Sequence, residues 1–209
     1  MANYVSVAVI KRLPSYYRYL KQLTAEGIEY ISSAELSVRM QLTASQIRQD
    51  INSIGGKGRQ GFGYEVSELS AHIGHLLGVD RTKSMIIVGA GNIGHALAHS
   101  ETFAKIGCKT IAIFDNSPDK IGQKIKDLFV KDISELEDFV KDNTVDITVL
   151  CVPKRVAQEN AAKCYDYGLR AFWNYSPVDI SLPNEASIVN VHLDDGLQIL
   201  SYYMLQKQK

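Results

Sequence analysis

The residues with the clearest chemical meaning are the glycines of Gly89-Ala90-Gly91-Asn92-Ile93-Gly94, which follow the apolar run 85–88. At this spacing Gly89 permits a tight turn, Gly91 lets the backbone approach a diphosphate, and Gly94 allows a helix to pack closely on a strand. The N–H groups that open the helix would then face the phosphates. The pattern predicts a dinucleotide site because it stands between a strand pattern and a helix pattern.

Asp115 ends a second apolar run, 110–114, twenty-odd residues after the glycines. A carboxylate there would accept hydrogen bonds from the adenine-ribose hydroxyls and repel a 2′-phosphate, and no Arg follows it. The sequence therefore predicts NAD(H), both NADH and NAD+, rather than NADP(H). The predicted cofactor-binding residues are Gly89, Ala90, Gly91, Asn92, Ile93, Gly94, Phe114, Asp115, Asn116, Cys151, Val152, Pro153, Asn174, Tyr175 and Ser176.

Side chains that could catalyse a reaction on the bound cofactor are not evident. A dehydrogenase usually places a general acid or base beside its substrate. Lys154 and Arg155 fit the solvated first turn of a helix, and the five histidines form no convincing group. The three cysteines lack metal-ligand spacing. We therefore predict no catalytic residue, no metal site and no enzyme.

The segment after residue 84 alternates apolar strands with helical stretches. The strands are predicted at 85–88, 110–114, 147–152, 171–175 and 188–191. Such alternation is typical of a parallel, doubly wound sheet, so the fold class is α/β with a Rossmann domain. Residues 197–205 form an amphipathic helix that needs a partner surface. The predicted domains are 1–80, 81–192 and a C-terminal helix, 193–209.

The first 80 residues carry a different pattern. A helix with apolar positions from Val9 to Leu23 is followed by two short helices, capped by Ser32 with Glu35 and by Thr43 with Gln46. A glycine-rich hairpin at 55–64 and a helix at 66–77 complete the domain. This order is typical of a winged helix-turn-helix that binds double-stranded DNA.

The helix at 43–54 is the predicted recognition helix, because isoleucines occupy one face and polar residues with little acid the other. Arg48 is the best candidate to read a base, and Gln46 and Gln49 could read adenine. Net charge is zero, but residues 1–64 hold eight Lys and Arg against four Asp and Glu. The modest surplus leaves open an ordinary helical domain with a solvated face. The predicted DNA-binding residues are Ser45, Gln46, Arg48, Gln49, Lys57, Arg59 and Gln60.

Several of these motifs together resemble the Rex family of redox-sensing transcriptional repressors along nearly the whole chain. In the first half the similar segments are 10–14, 16–20, 31–36, 46–48 with Asp50, and 61–64. In the second half they are 89–94, Phe114-Asp115 with Pro118, 152–153, Asn174 with Pro177, and 189–191. Independent motifs in the same order make a chance likeness improbable.

The resemblance implies a homodimer that exchanges its C-terminal helix, binds a pseudo-palindromic operator as a repressor, and is released by NADH while NAD+ competes. It also implies switch residues, here Arg18, Ser100, His192, Asp194 and Asp195. His192 stands where the family has an Asp that pairs with the residue matched by Arg18, and Ser100 where a tyrosine is common. Asp194 or Asp195 could replace the missing carboxylate. Gln49 and Gln60 stand where Lys or Arg is common, so we expect weaker phosphate attraction.

Two other functions remain open from the residues alone. A small NAD-dependent oxidoreductase would oxidise NADH when given carbonyl compounds. A CoA- or nucleotide-binding module would lack DNA activity, against which the N-terminal half argues. The sequence shows neither a signal peptide nor a membrane span, so a cytoplasmic protein with no membrane partner is expected.

Overall fold

The computed structural model describes residues 5–207. The chain divides between Arg81 and Thr82 into two compact units, one residue after the expected boundary. Separate clusters of buried apolar side chains lie in the two units, which are therefore described one at a time.

The first unit combines helices with a small antiparallel sheet. Its elements are α1 (Val7–Ala25), β1 (Tyr30–Ile31), α2 (Ser33–Met40), α3 (Ala44–Ser53), β2 (Tyr64–Glu65) and α4 (Val66–Leu76). Helix α1 continues through Pro14, and Gly27 follows its end with a positive φ of 74°. Fully buried Tyr16, Leu20 and Ile47 lie in one apolar core, which ties α1 to α3.

The caps of α2 and α3 differ. Ser32 Oγ accepts the Glu35 N–H at 3.1 Å while Glu35 Oε2 accepts the Ser32 N–H at 2.8 Å, so the predicted capping box forms. Thr43 Oγ1 accepts the Gln46 N–H at 3.1 Å, but the Gln46 side chain does not accept the Thr43 N–H in return and instead donates to Asp50. The second predicted box is therefore only half formed, because a buried carboxylate competes for the amide.

The glycine-rich segment forms less of a hairpin than the sequence predicts. Arg59 and Gly63 make a single antiparallel bridge across a tight turn, and β2 pairs with β1 rather than with residues just before the turn. Gly63 has a φ of +90°, and a Cβ there would collide with the Ile31 backbone. The predicted hairpin is therefore reduced to one bridge, because the residues before the turn are mostly glycines and offer no side chains to a ladder.

The second unit is built on a seven-stranded sheet. Its strands are β3 (Lys83–Val88), β4 (Cys108–Asp115), β5 (Lys124–Ile125), β6 (Leu128–Asp132), β7 (Ile147–Leu150), β8 (Ala171–Asn174) and β9 (Ser187–Asn190). They lie in the order β5-β6-β4-β3-β7-β8-β9, all parallel except β5. Apart from β5, this is the strand order of a Rossmann fold, whose ligands bind where the order reverses, between β3 and β7.

Helices of the second unit follow the strands. They are α5 (Asn92–His99), α6 (Thr102–Lys105), α7 (Leu136–Asp142), α8 (Lys154–Asp166) and α9 (Asp195–Gln206), with a 3-10 turn at Ile133–Glu135. None of the residues described in α9 is buried, although Leu197, Leu200 and Met204 are apolar. In the part of the chain that the structure describes, no helix has the length and apolarity needed to span a bilayer.

Candidate functional site

The glycine loop between β3 and α5 has the backbone geometry that its sequence predicts. Gly89 has a φ of +104°, and a Cβ there would collide with the Cys151 carbonyl. A Cβ on Gly94 would collide with the Gly89 carbonyl, whereas a Cβ on Gly91 would meet open space. Two glycines are therefore required by packing, and the third leaves room for a ligand.

Helix α5 opens onto this space without a side-chain cap. Gly91 is its N-cap residue, and Gly91, Asn92 and Ile93 all line one cavity. The first-turn N–H groups of a helix have no partner inside it. Together with the positive end of the helix dipole, they favour binding of an anionic group such as a diphosphate.

Asp115 ends β4 beside the loop, with a buried carboxylate. Its Oδ2 accepts the Ala90 N–H at 2.7 Å and Lys120 Nζ at 3.1 Å, and its Oδ1 accepts the Ser117 N–H at 2.8 Å. Burial opposes ionisation, but the hydrogen bonds from Ser117, Ala90 and Lys120 outweigh it and lower the pKa of the Asp115 carboxyl. Asp115 is thus charged at neutral pH and has acceptor capacity left for a ribose hydroxyl.

Lys120 is a feature that the sequence reasoning missed. It pairs with Asp115 and lines the cavity, whereas the sequence reasoning considered only the absence of an Arg after the aspartate. A lysine five residues beyond the strand end was the available signal. Its ammonium partly offsets the repulsion that Asp115 would exert on a 2′-phosphate.

The cavity has a volume of about 950 Å³ and extends from the glycine loop to helix α8. Ten predicted cofactor residues line it: Gly89, Gly91, Asn92, Ile93, Asp115, Asn116, Cys151, Val152, Pro153 and Tyr175. Side chains that the sequence did not single out line the wall formed by the turn at 133–135 and by α8, namely Ile133, Ser134, Val156, Glu159, Asn160 and Lys163. Arg155, expected to be only a solvated residue, also lines it.

Five other predicted cofactor residues do not line the cavity. They are Ala90, Gly94, Phe114, Asn174 and Ser176, all buried. Asn174 supports the loop that follows β8, because its Nδ2 donates to the Val178 carbonyl at 2.7 Å and its Oδ1 accepts the Ser176 N–H at 3.0 Å. These residues therefore lie beneath the cavity wall and support the residues that line it.

The titratable side chains at the carboxyl ends of β7 and β8, Cys151 and Tyr175, are poorly suited to catalysis. Burial raises the pKa of the Cys151 thiol to about 12, and burial likewise raises the pKa of the Tyr175 phenol. Both groups therefore stay protonated at neutral pH and cannot act as nucleophile or base. Among the described residues, no group of three or more His, Cys, Asp and Glu is placed to hold a metal ion.

Helix α3, the predicted recognition helix, presents a polar face, as its sequence predicts. Ile47 and Ile51 are fully buried, whereas Ser45, Arg48 and Gln49 are exposed. Arg48 Nη1 donates to Ser33 Oγ at 3.0 Å. This contact is exposed, so the guanidinium can leave it for a base edge at small cost.

Gln46 does not share this exposed role. Its Nε2 donates to Asp50 Oδ1 at 2.8 Å, and Asp50 is 1% exposed. Arg12 and Tyr16 of α1 hydrogen-bond the same carboxylate. The amide that we expected to read adenine instead helps to fasten α3 to α1.

The predicted wing residues are all exposed. Lys57, Arg59 and Gln60 lie in the turn that precedes β2. Arg59 Nη1 donates to the Tyr30 hydroxyl at 2.7 Å, which holds its side chain beside the small sheet. Two cations and an amide are therefore available here for phosphate contacts.

The predicted switch residues fall in different units. Arg18 belongs to the first unit and is exposed, whereas Ser100, His192, Asp194 and Asp195 belong to the second. His192 Nε2 lies 2.9 Å from Asp179 Oδ1. His192 is thus paired with Asp179. Asp194 and Asp195, suggested as replacements for the carboxylate that pairs with Arg18 in the family, lie at the start of α9, and that suggestion stays a prediction.

Comparisons with known proteins find relatives for both halves of the chain. A family model described as a CoA binding domain matches residues 80–178, and one described as a putative DNA-binding protein N-terminus matches residues 4–52. The redox-sensing transcriptional repressor Rex of Thermoanaerobacter sp. is 47% identical over 204 residues, covering 98% of this chain and 91% of the relative. The Rex of Clostridium botulinum strain Eklund 17B is 45% identical, with 98% and 97% covered.

Two solved structures of a Rex-family repressor, RSP, are also similar. RSP in complex with NAD+ and operator DNA superposes with a TM-score of 0.92 at 45% identity, covering 98% of this chain and 94% of that one. RSP in complex with NADH has a TM-score of 0.89 at 44% identity, with 98% and 96% covered. The relatives are named as transcriptional repressors rather than as enzymes.

Proposed function

The chain belongs to the Rex family of redox-sensing transcriptional repressors, and from this premise we propose that it represses transcription by binding operator DNA as a homodimer and that NADH promotes its release. The observation that carries the proposal is the full-length match to RSP, which was determined with NAD+ and operator DNA and with NADH. A repressor that binds operator DNA and NADH would act in the cytoplasm.

The cavity of the second unit fits a dinucleotide. Its volume of about 950 Å³ is ample for NADH, the open side of Gly91 leaves room for the diphosphate, and the charged Asp115 can accept a ribose hydroxyl. Cys151, Val152, Pro153 and Tyr175 would surround the nicotinamide. Bound NADH would supply a redox state to be recognised, while the surrounding side chains bind and shield it without transferring protons.

The response to NADH is a shift between two arrangements of the subunits. DNA is released only if the arrangement that cannot bind the operator has the higher affinity for NADH. We propose that this response is weaker here than in other family members, because His192 and Ser100 replace an acidic and an aromatic switch residue. His192→Asp should then increase the NADH effect on DNA affinity, and full release of the wild type at low NADH would refute a weakened switch.

Helix α9 supplies the proposed dimer contact. Leu197, Leu200, Met204 and Leu205 on α9, and Leu193 just before it, are each more than half exposed within one chain. A continuous apolar face of this kind is covered in a stable protein. A second copy of the chain is the proposed cover, with the helices exchanged between subunits as the family implies.

DNA binding is tested by selecting duplexes from a random pool with the wild-type protein and measuring affinity by fluorescence anisotropy. Arg48→Ala should lose at least about tenfold in affinity for the selected palindrome, because a bidentate base contact is lost. Glu137→Gln, an exposed change on α7, is the matched control and should bind normally. Recovery of no sequence by the wild type would contradict the repressor proposal, and oxidation of NADH with carbonyl compounds would favour an oxidoreductase instead.

A further inference from the structure

The tip of the wing carries an exposed aromatic side chain that the DNA-binding face described above does not use. Phe62 is 67% exposed, so it contributes little to the core of the first unit. A phenylalanine left largely exposed gives up the free energy gained by burying its ring, and proteins tolerate this at single surface sites. Phe62 differs from an ordinary exposed phenylalanine because hydrogen bonds hold the backbone around it and because Lys57 and Arg59 lie in the same segment.

The backbone around Phe62 is fixed on both sides. The Phe62 and Gly63 N–H groups both donate to the Arg59 carbonyl, at 3.1 and 3.0 Å, and the Arg59 N–H donates to the Gly63 carbonyl at 2.7 Å. Gly61 and Gly63 have φ values of +83° and +90°, a region that side chains rarely adopt. The turn therefore holds Phe62 at its tip with little backbone freedom.

Tyr30 of β1 supports the Phe62 side chain. The two ring centroids lie 5.8 Å apart with a tilt of 53°. The Arg59 guanidinium lies 5.7 Å from the Tyr30 centroid and also donates to its hydroxyl. One tyrosine thus positions an apolar ring and a cation side by side on the exposed edge of the wing.

We propose that Phe62 enters the minor groove beside the recognition site and packs against base edges or partly separates a base step, while Arg59 and Lys57 contact the flanking phosphates. Apolar side chains inserted in this groove are a recurrent means of kinking DNA at deformable steps. The turn is narrow because Gly61 and Gly63, on either side of Phe62, have no side chains. This inference rests on the proposed DNA-binding function. It adds Phe62 as a residue through which DNA affinity depends on the base pairs of the minor groove.

The proposal predicts how DNA affinity and its dependence on salt should change when Phe62 is replaced. Because Phe62 carries no charge, Phe62→Ala should weaken binding to the selected duplex by about tenfold, within the range measured for aromatic contacts to bases. The slope of log affinity against log salt should stay unchanged. Lys57→Ala should instead reduce that slope, by about 0.9 per lost phosphate contact.

The groove itself is identified by base substitution along the selected duplex. Replacing A·T with I·C keeps the minor groove free of the guanine amino group, whereas G·C adds it. We expect wild type to tolerate I·C but lose affinity with G·C at the position that Phe62 reaches, and Phe62→Ala to lose this discrimination. Phe62→Leu should retain most of the affinity, because an apolar side chain remains.

Phe129→Ala is the matched control, since Phe129 is also an exposed phenylalanine, at 60%, but lies on β6 of the second unit. It should leave DNA binding unchanged. Equal DNA affinity and equal discrimination in wild type and Phe62→Ala would overturn the inference while leaving the repressor proposal intact. Failure of the wild type to select any duplex would instead count against the repressor proposal.

Discussion

Asp50→Asn should destabilise the first unit and loosen its recognition helix. The buried Asp50 carboxylate accepts hydrogen bonds from Arg12 Nε and Nη2, both at 2.7 Å, from Gln46 at 2.8 Å and from the Tyr16 hydroxyl at 3.0 Å. Asparagine keeps the shape but turns one acceptor oxygen into a donor. At least one Arg12 bond and one neutral bond are lost, and the guanidinium loses its counter-charge.

The magnitude follows from burial. Removing one partner of a fully buried ion pair costs about 3–5 kcal/mol. The Arg12 side chain is 28% exposed, so water can recover part of its solvation. We therefore expect about 2–4 kcal/mol, taking the loss of charge-assisted hydrogen bonds together with this recovery. Glu26→Gln is the matched control, because its pair with Arg39 is exposed and should contribute less than about 1 kcal/mol.

Urea unfolding at fixed protein concentration measures the change. Trp173, the single tryptophan, lies on β8 and reports the second unit, whereas far-UV circular dichroism reports both. With a slope of roughly 1–3 kcal/mol per molar urea, Asp50→Asn should lower the midpoint of the first unit by about 0.7 M or more. The tryptophan transition should move less. A circular dichroism midpoint equal to that of Glu26→Gln would refute the reasoning.

The same network sets a dependence on pH. Burial alone would raise the pKa of Asp50, but the hydrogen bonds from Arg12, Gln46 and Tyr16 leave it below its ordinary 3.8. The stabilisation is therefore fully present above pH 3.8 and is lost as pH falls towards the lowered value in the folded state. The stability difference between wild type and Asp50→Asn should accordingly shrink below about pH 4. A constant difference down to pH 2 would contradict this assignment.

Three further predictions concern the second unit. Gly94→Ala should prevent stable folding of the second unit because its Cβ would collide with the Gly89 backbone. Gly91→Ala should keep the Trp173 unfolding midpoint but lose about tenfold or more in NADH affinity. Unchanged NADH binding by Gly91→Ala would count against the proposed diphosphate position. Cys151 should react slowly with iodoacetamide at pH 7.5 because its pKa is about 12, and NADH should slow it further, as mass spectrometry would show; rapid labelling would contradict the burial. Leu200→Asp should convert dimers to monomers in light scattering, and an unchanged mass would exclude α9 as the dimer contact.

Local patterns in the sequence predicted much of the fold. The apolar runs located β3, β4, β7, β8 and β9, and the glycines with Asp115 pointed to the cavity beside the glycine loop, because each signal lies within a few adjacent residues. Strands β5 and β6 were missed, since β5 has only two residues and neither alternates clearly. The α8 wall of the cavity was missed as well, because only the strand order brings that helix to the glycine loop.

The inward turn of Gln46 could not be read locally. Its hydrogen bond to Asp50 is within one helix, but the buried carboxylate is also held by Arg12 and Tyr16, which reach it from more than thirty residues away. Polar residues on a helix face therefore predict exposure only where no buried charge competes for them. Arg48 met that condition, and Gln46 did not.

The most direct test of the central claim is an anisotropy titration of the preformed complex between protein and selected palindromic duplex, with NADH or NAD+ at fixed salt. We expect NADH to weaken DNA binding relative to NAD+, and His192→Asp to enlarge the difference. NADH that binds the protein, as shown by its own fluorescence, yet leaves DNA affinity equal to that with NAD+ would contradict redox control by this chain.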